Sequence, residues 1–339
     1  MTDAVFHAAH ALPFAITLEP FTGIKFWTGV GILAGTYTLF SLGLQLNVGY
    51  TGIVNFGQAG FMAIGAYAMG ILVVKAGWSF WLALPVATLI AMAFGVLIGL
   101  PSLRLRADYF AIATIAAAEM ARLTALNARG LTNGAQGLFC NHEQTVCYDD
   151  TWRNLSDTIS GWLESLGWSN PEPLFPLLIV VWVVALLATA ALFFMQRTPW
   201  GRVLRAIRED EDAARALGKN TLSYKLQSLA IAAALGALAG FFLALDFATI
   251  HPDDFQPLVT FIGFAILVLG GLANYWGVAI GSIVMWTILE GTRLIDLPIT
   301  PERQAALRFI IVGVVLILLM AFRPQGAFGN REEMVLGEG

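Results

Sequence analysis

RTPWGRVLRAIREDEDAARALGKNTLSYK, residues 197–225, is the one long, highly charged run of the chain, set between two strongly apolar segments. It carries seven basic residues, Arg197, Arg202, Arg205, Arg208, Arg215, Lys219 and Lys225, against four acidic ones, Glu209, Asp210, Glu211 and Asp212. Between membrane spans, a basic loop marks the cytoplasmic side. Val203, Ile207, Ala214 and Leu217 recur at roughly helical spacing, with Pro199 and Gly201 as start signals and Gly218 as a stop. The run is therefore expected to form a short amphipathic helix or helix pair outside the membrane, presenting a face to something. A solvated loop that only sets topology is the other reading.

Working outward, the 339 residues are 58% hydrophobic and 12% charged, with a mean hydropathy of +0.72. Such a composition fits an all-α polytopic membrane protein and not a soluble enzyme. A net charge of −4 gives no reason to expect a nucleic-acid partner. Apolar runs long enough to cross a bilayer, about 20 residues each, fall near 26–47, 53–74, 80–100, 108–126, 174–195, 226–247, 258–273, 275–295 and 305–322. The expectation is about nine transmembrane helices, within a range of eight to ten. Residues 1–24, with Pro13, Glu19 and Pro20 and no basic start, are expected to be an interfacial segment and not a cleaved leader.

Placing 197–225 inside sets the remaining organisation. Helices one to four lie within 25–126, an outer loop covers 127–173, and helix five covers 174–196. The inner loop is 197–225, helices six to nine occupy 226–322, and 323–339 is an inner tail. Arg104, Arg106, Arg323 and Arg331 then fall inside. The outer loop is acidic, with Arg129 and Arg153 against Glu143, Asp149, Asp150, Asp157, Glu164 and Glu172. The two charge asymmetries agree independently.

The second apolar run, GYTGIVNFGQAGFMAIGAYAMGILVVK, concentrates Gly49, Gly52, Gly57, Gly60, Gly65 and Gly70 around the embedded amides of Asn55 and Gln58. Small residues let a neighbouring backbone approach closely, and an amide in hydrocarbon must find a partner or line a wet cavity. A broken or tightly packed helix beside a solute path, with Asn55, Gly57, Gln58 and Gly60 at the path, is one expectation. Amides that only tie neighbouring helices together are the other.

Other embedded polar groups are few. Glu119 and Arg122, and again Glu290 and Arg293, are spaced to neutralise each other on one helix face. So few carboxylates argue against an ion-coupled carrier. His7, His10, His142 and His251 all lie outside the expected spans, so no intramembrane metal or haem ligand set is expected. No GxxxxGK[ST] loop occurs, and a transport cycle consuming ATP would need another chain to bind it. Cys140 and Cys147, both in the outer loop, could close a small disulfide loop in an oxidising compartment. Ser156 to Leu166 is expected to be an amphipathic helix with Ile159, Trp162, Leu163 and Leu166 on one side.

Taken together, LNVGYTGIVNFGQAGFMAIGAYA at 46–68, LRADYFAIATIAAAEM at 105–120, LTNGAQGL at 131–138, GRVLRAIREDEDAARALGKN at 201–220, VLGGLANYWGVAIG at 268–281 and FRPQGAFG at 322–329 resemble a permease subunit of the branched-chain amino-acid ABC importers, more the M-type than the H-type. One departure is Asn133, where similar permeases usually carry a second glycine; the segment holding Cys140 and Cys147 is another.

The resemblance implies a multi-pass protein of the bacterial inner membrane, paired with a second permease chain, usually a different one. Two cytoplasmic ATPase subunits would hold ATP and magnesium, with no cofactor in this chain, and a periplasmic solute-binding protein would deliver solute. It makes 201–218 a coupling helix for the ATPase, with Arg205, Glu209, Asp210, Ala213, Ala214 and Gly218 on the family pattern. It implies amino acids as solute, with urea or short amides as the alternative. An ATP-independent channel or ion-coupled carrier, and an intramembrane enzyme, are the remaining classes. The last lacks convergent His, Cys, Asp or Glu groups in the spans.

Overall fold

The computed structural model describes residues 23–139, 150–168, 172–293 and 301–322. Cys140 and Cys147, residues 1–22 of the N-terminal segment, and the tail from 323 lie outside the described residues. The chain is a helical bundle: α1 Ile24–Leu44, α2 Gln58–Met69, α3 Phe80–Ser102, α4 Ala107–Asn127, α5 Asp150–Ser165, α6 Phe175–Met195, α7 Pro199–Glu209, α8 Glu211–Ala216, α9 Thr221–Phe247, α10 Pro257–Gly270, α11 Tyr275–Arg293 and α12 Pro301–Phe322.

Helices α1, α2 and α9 are the axis. From Ile32 to Leu44 every residue of α1 is buried, and α9 is buried on all sides through its middle, as an all-round apolar helix must be at the centre of a bundle. Lipid supplies no hydrophobic drive between helices, so contact has to come from close packing. α2 and α9 achieve it with small residues: a Cβ on Gly65 would stand 2.1 Å from the Ala237 carbonyl oxygen, and one on Gly240 would stand 1.8 Å from that of Met62. Around this axis α3 and α6 bury single stripes. In α3 the stripe is Ala83, Ala87, Ala91, Gly95 and Gly99, four apart, facing α9, while Leu82, Leu89 and Leu97 point outward. In α6 it is Val181, Ala185, Thr189 and Leu192, with the Trp182 indole donating to the Gly31 carbonyl of α1 at 2.9 Å.

The helical membrane fold matches expectation. Among the described residues six helical stretches are long and apolar enough to cross a membrane, or seven if the bent pair α10–α11 is one span: Ile24–Tyr50, Gln58–Lys75, Phe80–Ser102, Asp108–Asn127, Phe175–Met195 and Thr221–Phe247. The runs near 258–273 and 275–295, expected as two spans, form one sharply bent pair, α10 and α11 meeting at 116°. α10 has 14 residues, about 21 Å of helix, against a hydrocarbon core of about 30 Å. The turn is made by Gly271 and Ala273 at positive φ, 92° and 61°, and the Asn274 side chain accepts from the Gly277 N–H at 3.2 Å. In α12 the apolar stretch is Ala306–Leu318.

The bundle has two chemically distinct ends. At one, Arg104 and Arg106 share a cavity with Arg208, Arg215 and Lys225. At the other, a short antiparallel ladder pairs Leu138 with Ile250 and Phe139 with Thr249, and the Lys75 ammonium donates to the Gly130 carbonyl and the Asn133 side chain. Asn133 sits at φ 60°, a left-handed position that asparagine tolerates better than most non-glycine residues. The amphipathic helix of this end runs over Asp150–Ser165, and its buried side is Trp152 and Leu163, with Trp152 against Phe80. Trp162 and Leu166, expected on the packed side, are exposed.

Candidate functional site

Two features converge at the basic end: an interruption in the second apolar run and the helix pair α7–α8. Past Leu44, α1 widens into π-helical turns over Gln45–Tyr50, and the chain then runs non-helically from Gly52 to Gly57 before α2 begins. Breaking a helix inside a bundle frees backbone groups that lipid cannot satisfy. Here side chains of α4 and α10, together with Thr51, take some of them up. The Phe56 N–H donates to Thr114 Oγ1 of α4 at 3.1 Å, and the Ala59 N–H to Thr260 Oγ1 of α10 at 3.1 Å. Thr51 Oγ1 donates to the Leu46 carbonyl at 2.9 Å and meets Ser228 Oγ of α9 at 2.8 Å, and Ser228 Oγ in turn donates to Asn47 Oδ1 at 2.9 Å.

Asn55 and Gln58 belong to this network and are fully buried. Asn55 Oδ1 accepts from the Gly57 N–H at 2.8 Å, and its Nδ2 donates to Gln58 Oε1 at 3.3 Å. Gln58 Nε2 donates to the carbonyls of Ala232 at 2.9 Å and Phe40 at 3.2 Å, spanning α9 and α1. In this conformation both amides are spent on protein partners, Gln58 on neighbouring helices and Asn55 within its own segment. Gly57 and Gly60 let α4 approach, since a Cβ on Gly57 would stand 2.7 Å from the Thr114 carbonyl oxygen and one on Gly60 2.7 Å from Ala118 Cα.

The charged run is a helix pair. Asp210 separates the halves at φ −153° and caps α8, its Oδ1 accepting from the Asp212 and Ala213 N–H groups at 2.9 Å each. Gly218, at φ 78°, closes α8 in a left-handed conformation. Leu204, Ile207 and Ala214 are buried, Val203 is half-buried, and Leu217, at helical spacing with Val203, Ile207 and Ala214 in the sequence, is 80% exposed. Ala213 and Glu209 are exposed.

A charge network fastens the pair to the bundle. Glu211 binds the Lys225 ammonium of α9, Arg215 at 3.0 Å and the Thr221 hydroxyl at 2.9 Å. Burial pushes the Glu211 carboxyl up, but the Lys225 and Thr221 hydrogen bonds and the Lys225 and Arg215 charges outweigh it and hold the group below the usual carboxylate range. Arg208 pairs with Glu209 at 2.8 Å and donates to the Gly49 carbonyl in the widened end of α1. Arg205 donates to the Gln196 carbonyl at 3.2 Å and lies 5.7 Å from the Tyr50 ring centre.

Tyr50 carries the connection onward. Its hydroxyl donates to the Ala273 carbonyl at 2.6 Å, and its ring stacks on Tyr275 at 4.7 Å and 9°. The buried Gln45 carboxamide, with its oxygen turned inward, accepts from the Ala273 and Asn274 N–H groups at 2.5 and 2.7 Å. The helix pair, the widened end of α1 and the α10–α11 turn are thus one continuous contact. The structure brings Arg205, Glu209, Asp210, Ala213, Ala214 and Gly218 together on the pair, with Asn55, Gly57, Gln58 and Gly60 deeper in the bundle.

Sequence reading missed Arg208, Tyr50, Glu211 and Thr114. Arg208 lies three residues after Arg205, on the same helix face, and that spacing was the one available signal. At the opposite end Glu119 and Arg122 do pair, at 2.6 Å, and Arg122 also holds Asp253 at 3.0 Å, a third partner not anticipated. Glu290 and Arg293 lie 3.6 Å apart. Among the described residues no group of three or more His, Cys, Asp or Glu is placed to hold a metal ion.

Comparison with known proteins places this geometry in a family. The family model described as branched-chain amino acid transport system / permease component matches residues 28–320. The high-affinity branched-chain amino acid transport system permease protein LivM of Escherichia coli is 32% identical over 91% of this chain and 71% of its own length. The probable LivM of Methanocaldococcus jannaschii is 27% identical over 86% of this chain and 90% of its own. The permease protein LivH of Escherichia coli is 28% identical over 88% of this chain and 93% of its own. No solved structure matches the chain.

Proposed function

The chain belongs to the branched-chain amino acid transport permease family, and we propose that it forms, with a second and different permease chain, the membrane pathway of an ATP-driven importer of amino acids with branched apolar side chains. Two ATPase subunits on the basic side bind and hydrolyse ATP with magnesium, and a solute-binding protein docks at the opposite end. The setting is a bacterial inner membrane with the basic end in the cytoplasm.

The observation that carries this reading is the two-sided character of α7–α8. Its inner side is fastened to the bundle through Arg208, Arg205 and Glu211, while its outer side leaves Ala213 and the 80%-exposed Leu217 free for a partner. An apolar knob between charges suits a protein groove, where charges fix register and small residues allow close approach. Movement of the ATPases would shift the pair, and the Gly49 carbonyl and Tyr50 ring would pass that shift to the π-helical end of α1 and to the α10–α11 turn. π-helical turns concentrate at functional sites. The adjoining stretch Gly52–Gly57 flanks the solute path, and Asn55 and Gln58 meet a zwitterion when their present hydrogen bonds exchange.

The test is ATPase activity after co-reconstitution of this chain with its ATPase and permease partners and leucine-loaded or urea-loaded binding protein. Leucine-loaded receptor should stimulate hydrolysis, and Ala213→Arg, a change at an exposed position, should abolish the stimulation while the chain stays folded. Stimulation by urea alone would redirect the solute assignment. Uptake without any ATPase would sink the importer reading.

A further inference from the structure

A cavity of about 540 Å³ lies behind the helix pair, between α7–α8, the start of α9 and the turn joining α3 to α4, and reaches Thr51–Val54 of the unwound stretch. Its walls carry Arg104, Arg106, Arg208, Arg215 and Lys225 against one carboxylate, Glu211. Glu211 is already committed to Lys225 and Arg215, and Arg208 to Glu209 and the Gly49 carbonyl. The exposed side chains of Arg104 and Arg106 make no ion pair or hydrogen bond among the described residues. The cavity therefore holds uncompensated positive charge within low-dielectric walls, which focus its field on an anion.

Its rim tells which anion. Leu105, 50% exposed, belongs to the lining, and Tyr109, 61% exposed, stands one helical turn beyond it on α4. Leu97 and Leu100 on α3 and Ile112 on α4, the two helices joined by the turn that lines the cavity, are exposed as well. A free phosphate would use the basic walls and leave the rim idle. A phospholipid would use both, with its phosphate among the arginines and its acyl chains along the leucines. The cavity is also separate from the face offered to an ATPase, since Ile207 and Arg208 line it from the bundle side of α7, whereas Ala213 and Leu217 are not among its lining residues. We propose that this cavity is a binding site for the headgroup of an anionic membrane phospholipid, seated between the coupling helix pair and the unwound stretch. Basic pockets between helix ends at a membrane surface bind such headgroups.

The experiment is native mass spectrometry of the full chain in its assembled transporter, released from nanodiscs of equal parts phosphatidylglycerol and phosphatidylcholine. Wild type should retain phosphatidylglycerol selectively. Arg104→Gln with Arg106→Gln should cut that retention by about tenfold or more, each arginine beside a headgroup being worth roughly fivefold in affinity. Arg153→Gln, at the opposite end, should leave it unchanged. If the double variant does not assemble, Arg215→Gln, at a side chain 61% exposed, serves instead with a loss of about fivefold. Equal retention of phosphatidylcholine, or full retention in the arginine variants, overturns the proposal. Displacement of the lipid by inorganic phosphate at equal concentration would make the cavity a free-anion site and overturn the lipid assignment.

Discussion

The unwound stretch Gly52–Gly57 and the helix pair Pro199–Ala216 both depend on polar ties to their neighbours, and they make them in opposite ways. Inside the bundle the ties are neutral: the hydroxyls of Thr114 and Thr260 and the Asn55 amide take up N–H groups at the broken helix, and the Gln58 amide ties α2 to α1 and α9. At the surface they are charged: Glu211 with Lys225 and Arg215, and Arg208 with Glu209. A buried group without a partner keeps its full desolvation cost, whereas an exposed ion pair trades one hydrated state for another at small net gain. The interior ties therefore set stability, and the more exposed surface ties, Arg215 with Glu211 and Arg208 with Glu209, can rearrange for a partner at little cost, while Lys225, 16% exposed, holds Glu211 more firmly. A coupling element needs that freedom, whereas each tie of the broken helix must find a new partner whenever it exchanges.

The largest effect should come from the interior. Gln58→Leu keeps the approximate volume, removes both Nε2 hydrogen bonds and leaves Asn55 Nδ2 without its acceptor. The expected loss is about 2–3 kcal/mol, read as a lower midpoint of thermal unfolding in detergent. An unchanged midpoint would break the comparison by showing that the interior ties are dispensable.

A smaller effect, with a defined sign, concerns Glu211. Its folded carboxyl titrates below the usual range, so its contribution to stability is complete above the ordinary glutamate pKa of about 4.3 and is lost as pH falls below that toward the folded value. The advantage of wild type over Glu211→Gln in unfolding midpoint should be full at neutral pH and fade in acid. It should also shrink with added salt, whereas the deficit of Gln58→Leu should not. A salt-independent Glu211 effect would place that carboxylate with the interior ties.

The smallest effect belongs to Arg215→Gln. At 61% exposure, with two exposed or half-exposed acidic partners, it should change stability by under about 0.5 kcal/mol. A larger loss would mean that the surface network acts as a cooperative unit.

Much of this was legible in the sequence, and particular residues show where legibility ends. Glu119 and Arg122 pair because three residues on a helix bring them together, a purely local rule, but Asp253 joins them from 131 positions away along the chain. Ile207 and Ala214 were recognisable as packed by period. Leu217 was not recognisable as exposed, because the break at Asp210 resets the helical phase between the two halves of the pair. The runs at 258–273 and 275–295 read as two spans since hydropathy counts apolar residues and is blind to a 116° turn at Gly271–Asn274.

By itself, the sequence determined the membrane class, the helical runs, the position of the charged helix pair and the separation of a basic from an acidic end. Those are sums over neighbouring residues, and hydropathy and charge add up along a chain without reference to its fold. The tertiary structure alone decided that Asn55 and Gln58 are spent on each other and on α1 and α9, that α10 and α11 fold back on each other, and that Arg208 reaches the Gly49 carbonyl across 159 residues. In a medium where every buried polar group must find a partner, which partner it finds depends on which backbones come within hydrogen-bond reach, and only the packed bundle determines that.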